Sequence, residues 1–345
     1  MAETKNSVRM IDIAKRAGVS RIAVSQVLNP RPGSKVRVSD ETAERVRFLA
    51  HEMGYLQDRI ATQLSGGSSG LVGFVIDSNS YPVWTGCMAA AAEVLFPRNY
   101  RLQVGLQHDS LEQLRNHLDD FAGRRVDGVI CASHTYRAFG AEIPELMMRF
   151  RNRVFIQQPV NDHRSSFVAP DIDGGIRLLL DHLIRLGRCR IVLLSQPDID
   201  YNTGKLHGFF TRHLIEHGLE PLICDAATAM PLDVESGVSE LLDHALKLKP
   251  DALVAGSDYV AIWVMKLLKR RGIQVPDDLA VVSNQYTLIG QAWEPEITSI
   301  NYHFELIGRK AGEIMLELMK QNDGDTRIIE HYIAPELVIG RSCGY

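Results

Sequence analysis

Apolar positions near the N-terminus recur at helical spacing on both sides of a glycine. Residues 10–17 place isoleucine and alanine on one helix face, and Val24, Val27 and Leu28 repeat at i, i+3 and i+4. Gly18 interrupts the pattern, and Ser20 is a good N-cap for the second helix. The pattern predicts a helix-turn-helix, with a helical hairpin that binds no nucleic acid as the alternative.

A third helix is predicted to follow. Ser39 is suited to cap it, and its apolar stripe runs from Val46 to Met53 before Gly54 ends it. Three such helices enclose one small core, so we expect a headpiece of roughly 55 to 60 residues, near the lower size limit for a single core.

The second predicted helix leaves Arg21, Ile22, Ser25 and Gln26 on its outer face. Side chains at the start of such a face can enter a DNA major groove, where Arg and Gln bond base edges and Ile contacts a thymine methyl group. This face is the candidate base-reading surface.

From residue 71 onward, short apolar runs alternate with amphipathic stretches. This alternation is typical of parallel sheets covered by helices, and residues 174–187 read as one such helix. The predicted strands are 71–77, 101–107, 127–133, 153–158, 190–196, 221–226, 251–257 and 279–285. The expected fold is an all-α helix-turn-helix headpiece followed by an α/β core of two doubly wound lobes. A small-molecule cleft is expected between the lobes, at the carboxyl ends of the strands.

Charge separates the headpiece from the core. Residues 1–66 hold 11 Lys/Arg and 7 Asp/Glu, a net charge of +4. Residues 67–345 carry a net charge of −8, so the whole chain has a net charge of −4. A basic head on an acidic body directs any contact with a polyanion to the head, although a solvated charged face explains the same counts.

Composition is that of a globular protein with two or three cores: 345 residues, 45% hydrophobic and 23% charged. No tract is apolar enough to span a membrane, and residues 1–10 lack the apolar centre of a secretory signal, so we expect a cytoplasmic protein. Its five cysteines are scattered without metal-ligand spacing, which predicts reduced thiols and no metal. No cofactor is expected.

Catalysis is an alternative with little support in the sequence. The chain has no HExxH, GxSxG or P-loop pattern, and His108 beside Asp109 is an isolated pair in a predicted loop. A solute-binding protein is a second alternative, because a two-lobed core resembles periplasmic receptors. The headpiece and the absent signal favour a regulator.

A string of motifs resembles the lactose-repressor type of bacterial regulator, the LacI/GalR family, over essentially the whole chain. Besides the headpiece, these are GY at 54–55, IATQL at 60–64, RRVDGVI at 124–130, LGRCRI at 186–191, VPDDLAVVS at 275–283 and APELVIGRSC at 334–343. The resemblance implies a headpiece at 1–57, a hinge helix and linker at 58–70 and a core at 71–345. Within the core it implies an N-lobe at about 71–160 and 300–325, and a C-lobe at about 161–297 and 326–345.

The resemblance also implies a repressor that binds a palindromic operator as a homodimer, or as a dimer of dimers, with an affinity set by a metabolite in the cleft. A dimer is favoured because no heptad helix follows the core. Arg21, Ile22 and Gln26 match the family's base-reading positions, Ser20, Ser25 and Asn29 match phosphate contacts, and Leu64 matches a hinge leucine that wedges into the minor groove. The full set of expected DNA contacts is Ser20, Arg21, Ile22, Ala23, Ser25, Gln26, Asn29, Lys35, Arg37, Ala61 and Leu64.

Departures from the family pattern concentrate in the expected effector cleft. Gln157 and Gln285 stand where acidic residues are common, Lys205 replaces an Arg, and Ser257 replaces an Asn. Asp77, Trp84 and Asp258 complete the expected effector contacts, with helix capping as an alternative role for Asp258 and the apolar core as one for Trp84. Trp293 is a weaker candidate. The ligand is left open among a neutral polyol, a modified sugar and an anion attracted to Lys205, as is loss of any response.

Overall fold

The computed structural model describes residues 8–28, 36–55, 68–77, 81–107, 110–132, 138–195, 201–225, 234–321 and 327–344. The chain divides into two compact units, 1–69 and 70–345. Among the expected contacts, Asn29, Lys35, Ala61 and Leu64 lie outside the described residues, as does the pair His108 and Asp109. No helix in the described ranges is long and apolar enough to cross a membrane.

The first unit contains the predicted three helices: α1 Met10–Ala17, α2 Arg21–Leu28 and α3 Asp40–Glu52. Gly18 ends α1 with a left-handed φ of 66°, a conformation that glycine adopts without steric cost. Ser39 Oγ accepts a hydrogen bond from Thr42 N, as expected of the N-cap of α3. The buried side chains of the three helices form one core of Ile13, Ala14, Ala17, Val24, Val46 and Ala50.

The second unit contains two lobes, each built on a sheet. The N-lobe strands are β1 Leu71–Asp77, β2 Arg101–Gln107, β3 Gly128–Cys131, β4 Arg153–Ile156, β5 Ser166–Pro170 and β11 Glu330–Ile333. They pair in parallel in the order β11-β5-β4-β3-β1-β2. Helices cover both faces, namely α4 Tyr81–Leu95, α5 Leu111–Gly123, α6 Ile143–Met147 and α12 Phe304–Leu318. Burial on both faces explains why strands such as 71–77 read as continuous apolar runs.

The C-lobe sheet has the order β12-β10-β9-β8-β6-β7, in which β12 pairs antiparallel with β10 and the other described pairs are parallel. Its strands are β6 Ile191–Ser195, β7 Leu222–Asp225, β8 Ala252–Ala255, β9 Ala280–Ser283, β10 Thr298–Asn301 and β12 Glu336–Val338. Its helices are α7 Ile172–Arg185, α8 Tyr201–Glu216, α9 Val234–Lys247, α10 Asp258–Arg270 and the short α11 Leu288–Gln291. The core of this lobe lies on both faces of the sheet.

The chain crosses between the lobes three times, after β5, after β10 and after β11. The second crossing delivers α12 to the N-lobe, where it packs closely against α4: a Cβ on Gly308 would collide with the Cys87 carbonyl. The lobe boundaries implied by the family resemblance are wrong for residues 161–170 and 326–333, which were assigned to the C-lobe, because β5 and β11 pair within the N-lobe sheet. β11 joins this sheet through β5, a partner distant in sequence that local patterns do not encode, whereas β5 is a short strand of five residues that pairs with the preceding strand β4.

Candidate DNA-reading helix and ligand cleft

The start of α2 presents its side chains outward. Ser20 Oγ accepts a hydrogen bond of 3.1 Å from Ala23 N, which fixes the first turn of the helix. Arg21 is exposed and Ile22 is 65% exposed, although an isoleucine is normally drawn into a core. The first turn of α2 therefore carries a cation and an apolar side chain that the headpiece does not use for its own packing.

The remaining described candidates on the headpiece are either half-buried on α2 or lie on another segment. Ser25 and Gln26 are half-buried along the next turn of α2, as is Ala23. Arg37 is exposed and precedes α3. An exposed Phe48 on α3 was not anticipated, because its position lies off the apolar stripe.

A cavity of about 260 Å³ lies in the second unit beside the ends of β4 and β5. It brings together two of the predicted effector residues, Gln157 and Lys205. The other residues around it were not anticipated: Gln158, Ala169, Pro170, Asp171, Ile172, Asp173, Asn202, Phe209 and Tyr332.

Gln157 follows β4 directly and has a left-handed φ of 78°, which is uncommon for a residue with a Cβ. Its backbone N–H donates to the Val168 carbonyl at 2.7 Å, so pairing with the neighbouring strand holds this conformation. Its side-chain Oε1 is buried and has no hydrogen-bond partner. Strained backbone and an unsatisfied acceptor at a cavity wall are both typical of binding sites.

Lys205 lies on α8 at the cavity wall. Partial burial lowers the pKa of its ammonium, although the residue as a whole is still exposed. Desolvation acts against the charged form, and among the residues that the structure describes no neighbouring charge opposes that effect.

Two carboxylates line the same cavity. Asp171 is the N-cap of α7, and its Oδ1 accepts from Gly174 N at 2.9 Å. Asp173 is ion-paired with Arg212 and accepts from His213 Nε2 at 3.0 Å. The pKa of Asp173 is lowered: burial acts to raise it, but the hydrogen bonds and charges of Arg212 and His213 outweigh burial.

The other predicted effector residues lie elsewhere. Ser257, Asp258 and Gln285 form a separate group at the carboxyl ends of β8 and β9, where Asp258 N donates to the Gln285 carbonyl at 3.2 Å. Asp77 is half-buried at the end of β1. None of these four is among the residues that line the described cavity.

Asp258 is fully buried and holds the loop after β9. Its Oδ2 accepts from Thr287 N at 2.6 Å and from Thr287 Oγ1 at 3.0 Å, while its Oδ1 is buried without a partner. Burial raises the pKa of Asp258, and the hydrogen bonds from Thr287, which favour the charged form, offset only part of that effect. The predicted capping role is wrong, because Ser257 is the N-cap of α10 and Asp258 is its first residue.

Trp84 is 6% exposed in the N-lobe core, where it packs edge-on against Phe304 with ring centroids 5.6 Å apart. Its indole N–H is buried without a hydrogen-bond partner. Trp293 is half-buried and packs against the C-lobe core. Neither ring is among those that line the described cavity, where Phe209 and Tyr332 supply the aromatic surface.

The described residues contain no candidate metal site and no disulfide. No group of three or more His, Cys, Asp or Glu side chains there is placed to hold a metal ion. All five cysteines are free thiols, and burial raises the pKa of Cys87 to about 12.

Two family profiles match the chain. Residues 9–58 match the profile "Bacterial regulatory proteins, lacI family", and residues 180–343 match a "Periplasmic binding protein-like domain". The first match contains α1, α2 and α3, and the second contains most of the C-lobe.

Similar proteins extend the match over both units. A transcriptional regulator of Thermobifida fusca named CelR is 30% identical over 324 residues, covering 88% of this chain and 90% of that protein. A transcriptional repressor of Mannheimia succiniciproducens named PurR is 26% identical over 334 residues, covering 96% of this chain and 97% of that protein.

Solved structures agree on the fold. The lac repressor dimer bound to operator and an anti-inducer has a TM-score of 0.83 at 21% identity, covering 98% of this chain and 99% of that chain. A complex of CelR with cellobiose has a TM-score of 0.68 at 24% identity, covering 97% and 99%. The CelR sequence match and the headpiece profile show that this chain belongs to the LacI family of bacterial regulatory proteins and is a DNA-binding transcriptional regulator.

Proposed function

We propose that this protein is a repressor that binds a palindromic operator as a homodimer. The observation that carries the proposal is the outer face of α2, where Arg21 and the 65% exposed Ile22 extend from a turn capped by Ser20. Two copies of this helix, related by a two-fold axis, would enter adjacent major grooves and read two half-sites.

In this proposal the expected DNA contacts divide by role. Arg21, Ile22 and Gln26 read base edges, whereas Ser20, Ser25 and Arg37 position the headpiece on the phosphates. Asn29, Lys35, Ala61 and Leu64 retain their proposed roles from the sequence, with Leu64 as the minor-groove wedge. A protein that works in this way acts in the cytoplasm and needs no catalytic step.

The cleft supplies regulation. A small metabolite between the lobes would favour one arrangement of the second unit and so change the affinity for the operator. The left-handed Gln157 and the cation of Lys205, which both line one cavity, support a ligand site there. The direction of the effect, induction or co-repression, follows from which arrangement the ligand prefers.

The test is selection of bound sites from random duplex DNA with the purified full chain at a stated salt concentration. Enrichment of a palindrome supports the proposal, and a lack of any enriched sequence, with and without candidate metabolites, contradicts it. The variant Arg21→Ala should relax preference at one position of each half-site, by about 1–3 kcal/mol. Lys269→Ala, on the exposed end of α10, is the matched control and should leave the selected sequence unchanged.

A further inference from the structure

The charged groups around the cavity differ in whether the protein already neutralises them. Asp171 caps the N-terminus of α7, where the helix dipole favours negative charge. Asp173 is paired with Arg212 and His213. Lys205, in contrast, has no hydrogen bond or ion pair with any described residue. The cavity therefore holds two compensated carboxylates and one uncompensated cation.

The environment of Lys205 makes an anionic partner favourable. Surrounding atoms remove part of the water around the ammonium without supplying a partner, and the lowered pKa of Lys205 reflects that loss. A carboxylate from a ligand would form a charge-assisted hydrogen bond with this ammonium and offset the lost hydration.

Gln157 also lines the cavity, and its side chain holds an unsatisfied hydrogen-bond acceptor. Oε1 of Gln157 is buried without a partner, so a rotation of the side chain that turns the amide group toward the cavity costs this oxygen no hydrogen bond. A ligand hydroxyl can donate to the oxygen or accept from the nitrogen, so it satisfies the amide in either orientation. Asn202 adds a second amide to the lining.

Size and apolar surface limit the ligand further. At about 260 Å³ the cavity lies just below the usual range of ligand pockets, so it suits a molecule of about monosaccharide size. Phe209 and Tyr332 provide ring surface for the C–H face of such a molecule. A phosphate dianion fits the charges less well, since one lysine would face two negative charges beside Asp171 and Asp173.

We propose that the cleft binds a polyhydroxy carboxylic acid of monosaccharide size, with its carboxylate on Lys205 and a hydroxyl group on Gln157. The inference rests on the proposed function, because it names the ligand class of the same regulatory site. It assigns tighter binding to a sugar acid than to its neutral counterpart.

The experiment is calorimetric titration of the purified full chain, without DNA, at low ionic strength. The probes are the aldonic and uronic acids of the common hexoses and pentoses, their neutral parent sugars and polyols, and glucose 6-phosphate. We expect at least one acid to bind, with its neutral parent at least tenfold weaker. Added salt should lower the affinity for the acid more than the affinity for any neutral probe.

Variants identify the cation. Lys205→Met should lower the affinity for the acid by about 10- to 100-fold, as expected for loss of a charge-assisted hydrogen bond. Lys205→Arg should recover part of the affinity. Lys247→Met, exposed at the end of α9 and outside the cavity lining, is the matched control and should bind as the unaltered chain does. Circular dichroism checks that each variant is folded.

Four results overturn the inference: equal binding of the neutral parent, undiminished binding by Lys205→Met, preference for the phosphate, or no binding by any acid. Operator selection is independent of them. A selected palindrome without acid binding removes only the ligand assignment. Acid binding without a selected operator removes the proposed repressor and leaves the ligand assignment in place.

Discussion

Two groups of polar side chains lie at strand ends in the second unit, and they differ in how they are satisfied. At β8 and β9, Oδ2 of Asp258 takes two hydrogen bonds from Thr287, and the side chain is fully buried. At the cavity beside β4 and β5, Lys205 has no partner among the described residues and Oε1 of Gln157 has none. Both groups contain residues expected to contact a ligand.

The difference separates structural polar groups from binding groups. A carboxylate that the protein has already supplied with donors has little to offer a ligand, and its removal exposes the donors it served. An unpartnered cation at a cavity wall costs little to remove and gains most from a ligand. Substitution in the first group should therefore change stability, and substitution in the second should change binding.

The largest effect is expected for Asp258→Ala. The change leaves Thr287 N without its acceptor and opens a small cavity, so the free energy of unfolding should fall by about 3 kcal/mol. Urea unfolding of the full chain measures it, with Lys205→Ala as the control at less than about 0.5 kcal/mol. Equal losses in the two variants would erase the distinction between the groups.

Thr287→Val should lose about 1–2 kcal/mol. Its Oγ1 donates to Asp258 and also accepts from Gly290 N at 3.3 Å as the N-cap of α11, and valine keeps the shape without either bond. Thr287→Ser retains the hydroxyl and should recover most of the loss in the same unfolding assay. A valine variant as stable as the serine variant would show that the hydroxyl contributes nothing.

The contribution of Asp258 to stability should depend on pH. Because its pKa is raised in the folded state, the folded chain still holds this proton at pH values between the ordinary and the raised pKa, where the unfolded chain has released it. Stability from this group is therefore greatest below the ordinary aspartate pKa and declines as the pH rises through the raised value, by at most about 1.4 kcal/mol per pH unit. The stability difference between the unaltered chain and Asp258→Asn, followed across acidic pH, measures it, and an increase with pH would contradict the assignment.

The smallest effect is expected for Gln157→Gly. Glycine adopts the left-handed φ of 78° without strain, so the free energy of unfolding should stay level or rise by up to about 1 kcal/mol. Gln157→Ala keeps the strain and is the control. A glycine variant less stable than the alanine variant, by thermal or urea unfolding, would show that this backbone conformation carries no strain.

Local sequence patterns were sufficient for most of the elements. The Gly18 turn, the Ser20 and Ser39 caps and the strands 71–77 and 101–107 lie where the pattern predicts, because caps and periodicity act within a few residues. The short strands Thr298–Asn301 and Glu336–Val338, of four and three residues, were missed, because their pairing with each other joins segments far apart in sequence.

The cavity was only partly predictable. Gln157 and Lys205 were found as departures from the family pattern, whereas Asp171 and Tyr332 were missed because each belongs to an N-lobe strand or its end that local patterns did not reveal. Asp171 directly follows β5, so recognition of that strand would have brought it into view.

The sequence by itself determined the headpiece, the alternation of strands and helices and the membership of the LacI family, because these depend on local spacing and on motif order. Only the tertiary structure decided which polar side chains already have partners. Asp258 and Lys205 look equally available in the sequence, and it is packing between distant segments that gives one two donors and leaves the other facing a cavity.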